Sequence, residues 1–142
     1  APSRVKGRDL GETYGALLIL LCLLQIKHMF GDFFLQTRTM LNGRGQYLHF
    51  GRLMHASVHA GLSFIVFVVM GAPVAFILAL VIAELFVHFH IDWWKGRLTD
   101  EHNLTPADAA YWRTTGIDQA LHQLTYVAMI WIWLMWGGSS FA

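Results

Sequence analysis

The chain has 142 residues, 56% of them hydrophobic and only 13% charged, about half the charge of an ordinary soluble domain. With 14% aromatic residues and a single cysteine, Cys22, it is neither a disordered chain nor a disulfide scaffold. A net charge of +1 without a basic stripe excludes a nucleic-acid partner and leaves one integral membrane domain over residues 1–142, with the lipid bilayer as its first partner.

Four apolar stretches approach the ~20 residues needed to cross a bilayer core. The first covers about residues 14–36; no small-residue cleavage site follows it, so it is expected to stay as a helix. A polar connection, 37–52, carries Gly43, Gly45 and Gly51. The second stretch, about 53–70, runs into Gly71-Ala72-Pro73, a tight turn that puts proline at a helix start. The third covers about 73–94. The longest connection follows, 95–116, in which Thr105-Pro106-Ala107-Asp108 reads as an N-cap, an N1 proline and an acidic first turn. That predicts a short surface helix through Tyr111 and Trp112. The fourth stretch covers about 117–136. All four should be helices, because lipid offers the backbone no hydrogen-bond partner. The expected fold is all-α, an integral membrane four-helix up-down bundle. Cys22 is expected to be a buried small apolar residue.

Basic residues set the orientation. Arg38, Arg44, Arg52, Lys95, Arg97 and Arg113 lie in the two long connections, against Arg4, Lys6 and Arg8 in the N-terminal tail. Both connections are therefore predicted to be cytoplasmic and both termini outside. Trp93 and Trp94 would mark one interface, and Trp131, Trp133 and Trp136 the other.

Ionisable residues inside such helices cost about 2.5–3.5 kcal/mol each near the centre and are functional candidates by default. Here they recur with one spacing. His28 and Asp32, His55 and His59, His88 and Asp92, and Asp118 and His122 are each four apart, on one face one turn apart. All four pairs fall at the end of the bundle nearest the long connections. At ~1.5 Å per residue, His28, His59, His88 and His122 form a layer roughly 9–12 Å deep, under a second layer of Asp32, His55, Asp92 and Asp118. Matching layers from four helices are how a bundle builds a metal site. Imidazole with carboxylate suits Zn, Fe or Mn, and the donors suffice for one or two divalent ions. The expected ligands are His28, His55, His59, His88, Asp92 and His122. Asp32 and Asp118 are the candidate general bases, and Lys95 and Arg97 the groups that would hold an anionic substrate. Lys27 is expected to pair with Glu84 at similar depth. His49 and His102 read as loop residues, and His90 as lying on another face of its helix.

These motifs carry a resemblance. His28-Met-Phe-Gly-Asp32-Phe33-Phe-Leu-Gln36, His88-Phe-His-Ile-Asp92-Trp-Trp-Lys95 and Asp118-Gln119-Ala-Leu-His122 are similar to the H-x-x-x-D-F-x-x-Q, H-x-x-x-D-x-x-K and D-Q-x-x-H signatures of a family of bacterial polytopic membrane proteins of unknown function. The likeness covers roughly residues 15–136 and implies a bacterial inner-membrane location and a four-helix core. More distantly, the pattern looks like the membrane-bound metal-dependent hydrolases, whose H-R-x-x-T-H start has Arg52-Leu-Met-His55 as its nearest counterpart here. The reading that follows is a metal-dependent hydrolase of a lipid or lipid-linked substrate. The alternatives are a non-enzymatic subunit of a larger membrane complex, or a homo-oligomer, and a haem-binding electron-transfer protein.

Overall fold

A computed structural model describes residues 10–137. Among these residues there are five α-helices and no strand: α1 (Leu10–Met29), α2 (Arg38–Leu41), α3 (Phe50–Val69), α4 (Val74–Glu101) and α5 (Ala109–Ile132). Two π-helical turns prolong α1 through Phe30–Phe34 and α5 through Trp133–Gly137. The segments Leu10–Phe34, Phe50–Val69 and Val74–Glu101 are long and apolar enough to cross a membrane. The α5 helix is of similar length but is not among them; Asp118, Gln119, His122 and Gln123 make its middle polar.

The helix α1 packs on α3 and α5, and α4 packs on the same two, so the four long helices close a ring. Toward the 70–73 turn the interior is apolar, with Leu20, Leu24, Phe67, Ile77, Tyr126 and Trp133 all but excluded from solvent. The outward faces present Leu18, Ile19, Val69, Ile82, Phe86 and Leu124, as a helix does when its surroundings are lipid. Gly71 has φ +74°, which closes the turn into the extended Pro73 at the N-cap of α4.

Several expectations are corrected. The helix α4 does not stop near 94 but runs to Glu101, so Lys95 and Arg97 are helical residues. Nothing in 95–101 breaks the helix, and Arg97 and Glu101 pair one turn apart, Nε to Oε1 at 2.6 Å. Gly96 is needed there because Arg44 backs onto it: a Cβ would run into the Arg44 carbonyl. His102 caps the helix, and Asn103, whose φ is +49°, turns the chain away beyond it.

No separate surface helix forms through Tyr111 and Trp112; both lie in the first turn of α5, which begins at Ala109 rather than Pro106. Asp108, in an extended conformation, turns its carboxylate back to accept from Thr105 N (2.8 Å) and Thr105 Oγ1 (2.9 Å). That closes a turn before the helix instead of capping one within it. In the 37–52 connection, Thr37 Oγ1 accepts from Met40 N and starts the short α2. Cys22 is exposed, because α1 turns Leu20, Leu24, Lys27 and His28 inward and Cys22 off that face. Trp133 packs in the core instead of joining a belt. Arg4, Lys6 and Arg8 lie outside the described residues.

Candidate metal centre

Each long helix brings its polar face to the same level. His28 closes the last turn of α1, and the π-turn then carries Asp32. In that turn the Leu35 N–H reaches back five residues to the Phe30 carbonyl at 2.9 Å. Such single turns re-aim a side chain and recur at functional sites. Gly31 makes it possible: it lies against the His59 imidazole, and a Cβ there would collide with the ring. The α3 helix presents His55 and His59, α4 presents Glu84, His88, Asp92 and Lys95, and α5 presents Asp118, Gln119, His122 and Tyr126.

The four deeper imidazoles form a closed ring. Centroids lie 5.3 Å apart for His28–His59, 4.1 Å for His59–His88, 4.3 Å for His88–His122 and 5.2 Å for His122–His28. His55 sits on this ring, 4.7 Å from His59 and 5.3 Å from His88. Two carboxylates face it. Asp32 Oδ1 is 3.0 Å from His59 Nε2 and 3.3 Å from His55 Nε2, and its Oδ2 is 3.2 Å from His28 Nε2. Asp92 Oδ2 is 3.2 Å from His88 Nε2 and 3.5 Å from His55 Nε2, and its Oδ1 is 3.6 Å from His122 Nε2. Two groups of donor atoms lie within 4.8 Å of one another and could hold an ion: Asp32, His55, His59 and His88, and His88, Asp92 and His122.

Hydrogen bonding sorts these residues into different roles. Gln119 Nε2 donates to Asp118 Oδ2 (3.2 Å) and to Asp32 Oδ2 (3.4 Å). Carboxylates only accept, so the amide orientation is fixed, and its Oε1 faces His28 Nε2 at 3.1 Å. His28 Nε2 must therefore donate. Its Nδ1 is then left to accept from the Tyr126 hydroxyl at 2.7 Å. Both nitrogens of His28 are engaged, and it belongs to neither group of donors. His122 is the opposite case. Its Nδ1 donates to the Asp118 carbonyl at 2.9 Å, which leaves the Nε2 lone pair free. His122 Nε2 and His88 Nε2 are buried, without a hydrogen-bond partner, and both face Asp92. Buried polar atoms rarely go unpaired, and a cation between these two nitrogens and the carboxylate satisfies all three.

Asp118 is held elsewhere. Lys95 Nζ donates to its Oδ2 at 2.9 Å, while its Oδ1 has no partner. Arg97 is not brought to the cluster; its side chain is more than half exposed, pairs with Glu101 and lies over the Trp93 ring at 5.5 Å. His90 faces away and bonds to Tyr47. Beneath the ring, Lys27 Nζ donates to Glu84 Oε1 at 2.5 Å and reaches the His59 carbonyl at 3.4 Å, both side chains buried. Above the ring, toward the connections, lies a cavity of about 450 Å³ lined by Asp32, Asp92, Asp118, Lys95, Arg44 and Arg52 among others.

Three contributors escaped the sequence reading. Gln119 stands within the D-Q-x-x-H signature, so its signal was present. Tyr126 lies one turn past His122, and no motif marks it. Arg52 reads in the sequence as a charge of the 37–52 connection and as part of Arg52-Leu-Met-His55, neither of which places it in the cavity wall.

The family described as "Protein of unknown function (DUF3307)" matches residues 19–142, and the chain belongs to it. No curated protein and no solved structure matches the chain.

Proposed function

We propose that this member of the DUF3307 family is a metal-dependent membrane hydrolase, acting on a lipid or lipid-linked ester or phosphate. The carrying observation is the pair of donor groups, Asp32–His55–His59–His88 and His88–Asp92–His122, beside a cavity whose wall carries both carboxylates and the cations Arg44, Arg52 and Lys95. On this reading α5 is a fourth crossing, the bundle runs up and down, and the cavity opens at the cytoplasmic face.

The residues divide the work as follows. Asp32, His55, His59, His88, Asp92 and His122 hold the metal, a borderline ion such as Zn, Fe or Mn. His28, bonded at both nitrogens, positions Asp32 from behind and is not a ligand. A divalent ion bound there would supply Lewis acidity toward water and toward a phosphoryl or acyl oxygen. Asp118 lines the same cavity, and on this reading it is the general base that takes a proton from water.

The haem alternative is less well supported. The imidazoles sit 4.1–5.3 Å apart around a ring, with carboxylates against them, where a porphyrin needs an open apolar slot. The accessory-subunit alternative predicts the same metal without turnover.

The experiment combines elemental analysis with an assay. Purified protein should hold metal that a His59→Ala, His88→Ala variant loses. The wild type should hydrolyse at least one member of a panel of phospholipids and lipid diphosphates. Asp118→Asn should keep its metal and lose turnover. A metal-loaded wild type that turns over nothing in the panel returns the protein to the accessory-subunit reading.

A further inference from the structure

The wall of the cavity above the imidazole cluster includes a buried guanidinium, Arg52, that is only partly satisfied by its neighbours. Arg52 lies in the first turn of α3 and is 3% exposed. Its Nη1 donates to the Tyr47 carbonyl at 3.3 Å, and its guanidinium lies over the Phe89 ring at 5.3 Å. Its Nη2 is buried without a hydrogen-bond partner, and no carboxylate of the described residues lies within ion-pairing distance of it. Leaving a buried charged donor unpaired is costly, and Arg52 lines the cavity wall.

The neighbours narrow what would satisfy it. Lys95, a partly exposed cation of this wall, is committed to Asp118. Asp32 and Asp92 face the imidazoles. Arg44 lines the same cavity, while its carbonyl packs against Gly96. Asp100 also lines it and is the one carboxylate there in no ion pair among the described residues, so Arg44 and Arg52 outnumber it. The backbone is fixed around Arg52: a Cβ at Gly51 would run into the Thr39 carbonyl, which seats α2 on the first turn of α3. A rigidly placed planar fork with a free edge matches a tetrahedral oxyanion better than a point charge does.

We infer that Arg52, supported by Arg44, forms an anion subsite that takes a phosphate group in the wall of the cavity. This deepens the hydrolase reading by naming the substrate class as a phosphate ester, and it rests on that reading for its catalytic meaning. The binding itself does not depend on turnover. The phosphate has two possible carriers, a lipid headgroup entering from the bilayer and a free anion entering from solution.

The test measures affinity for two probes by titration: inorganic phosphate with protein in detergent, and phosphatidic acid in phosphatidylcholine nanodiscs. Elemental analysis is run on every sample. Arg52→Gln should weaken the binding of at least one probe by about tenfold to a hundredfold, the range for losing a charge-assisted hydrogen bond. Arg97→Gln, on a different surface, should leave it unchanged. Loss confined to the nanodisc arm assigns the site to a lipid headgroup; loss with inorganic phosphate assigns it to the free anion. Equal affinity of wild type and Arg52→Gln in both arms overturns the proposal. If Arg52→Gln loses its metal, Arg52→Lys decides, because it keeps the charge and removes the fork: weakened binding supports the subsite, and wild-type binding ends it. Absence of metal from the wild type would defeat the hydrolase reading while leaving the Arg52 comparison decisive.

Discussion

His88 is the residue on which both donor groups depend. A neutral imidazole has one acceptor nitrogen, so a single ion claims it directly, and two ions would need a carboxylate between them. Replacing His88 should therefore cost more metal than replacing any other ligand. In a chelator competition read by elemental analysis, His88→Ala should retain almost none. His122→Ala, which removes a member of one group only, should retain an intermediate amount. His28→Ala should still load, with affinity lowered roughly 10- to 100-fold, because it removes the orienting partner of Asp32 and no ligand. If His28→Ala falls as far as His88→Ala, the assignment of His28 as a positioning residue fails. Gly31→Ala tests the same centre without touching a donor: the new methyl must displace the His59 ring, so metal retention should drop although every ligand remains. The layer of four histidines was legible because helical spacing alone puts residues four apart on one face. What spacing could not supply was the sorting of His28 from the other three. That sorting depends on which nitrogen faces Gln119, Tyr126 or nothing, and it is fixed by partners from α5 nearly a hundred residues away in the chain.

At the level of elements, Lys27 and Glu84 tie α1 to α4 under the imidazole ring. A buried pair is weak evidence for stability as a pair, but breaking it leaves one charge without compensation, at about 3–5 kcal/mol. Lys27→Met should therefore destabilise the protein sharply in thermal unfolding in detergent. A Lys27→Met, Glu84→Leu double variant should recover most of the loss. A double variant no better than the single one would mean that the lysine stabilises the His59 carbonyl, which it also reaches, more than it does Glu84. The α5 start offers a milder test outside the bundle. Hydrogen bonds from the Thr105 N–H and hydroxyl hold the Asp108 carboxyl below its ordinary range. A depressed folded pKa contributes stability above the unfolded value, and that contribution is lost as pH falls through the folded one, here below roughly pH 4. Amide exchange in the Ala109–Tyr111 turn should accelerate in that window and not above it. The helix existences were legible from apolar length, but their ends were not. Charged residues in 95–101 read as a loop because they are polar, yet they continue a helix because none of them breaks one. The π-turn at Phe30–Phe34 left no period to detect, being a single turn whose cause, the seat of His59 on Gly31, is tertiary.

Across the whole molecule, polarity is graded along the bundle axis. The apolar core lies toward the 70–73 turn, the imidazole ring lies beyond it, and the cavity with Arg44, Arg52 and Lys95 lies against the 37–49 connection and the first turns of α5. Three segments have the length and apolarity of membrane crossings and α5 does not, because α5 places Asp118, Gln119 and His122 on the face that meets the site and compensates with Leu121, Leu124 and Val127. Its exposed residues include Ile117, Leu121, Leu124 and Val127, which would be poorly placed in water. A helix that spends its polar side on the interior and its apolar side on lipid can cross a bilayer at a lower mean hydropathy than an isolated one. We therefore expect α5 to cross as the fourth span, with the positive connections in the cytoplasm. The measurement is labelling of single cysteines in a Cys22→Ala background, at Gln46, Pro73, Asn103 and Trp136, using a membrane-impermeant thiol reagent on intact cells and then on opened ones. Pro73 and Trp136 should label in intact cells, and Gln46 and Asn103 only after opening. If Trp136 and Asn103 label together from one side, α5 lies along the membrane instead of through it, and the site would then be covered by three crossings and a surface helix.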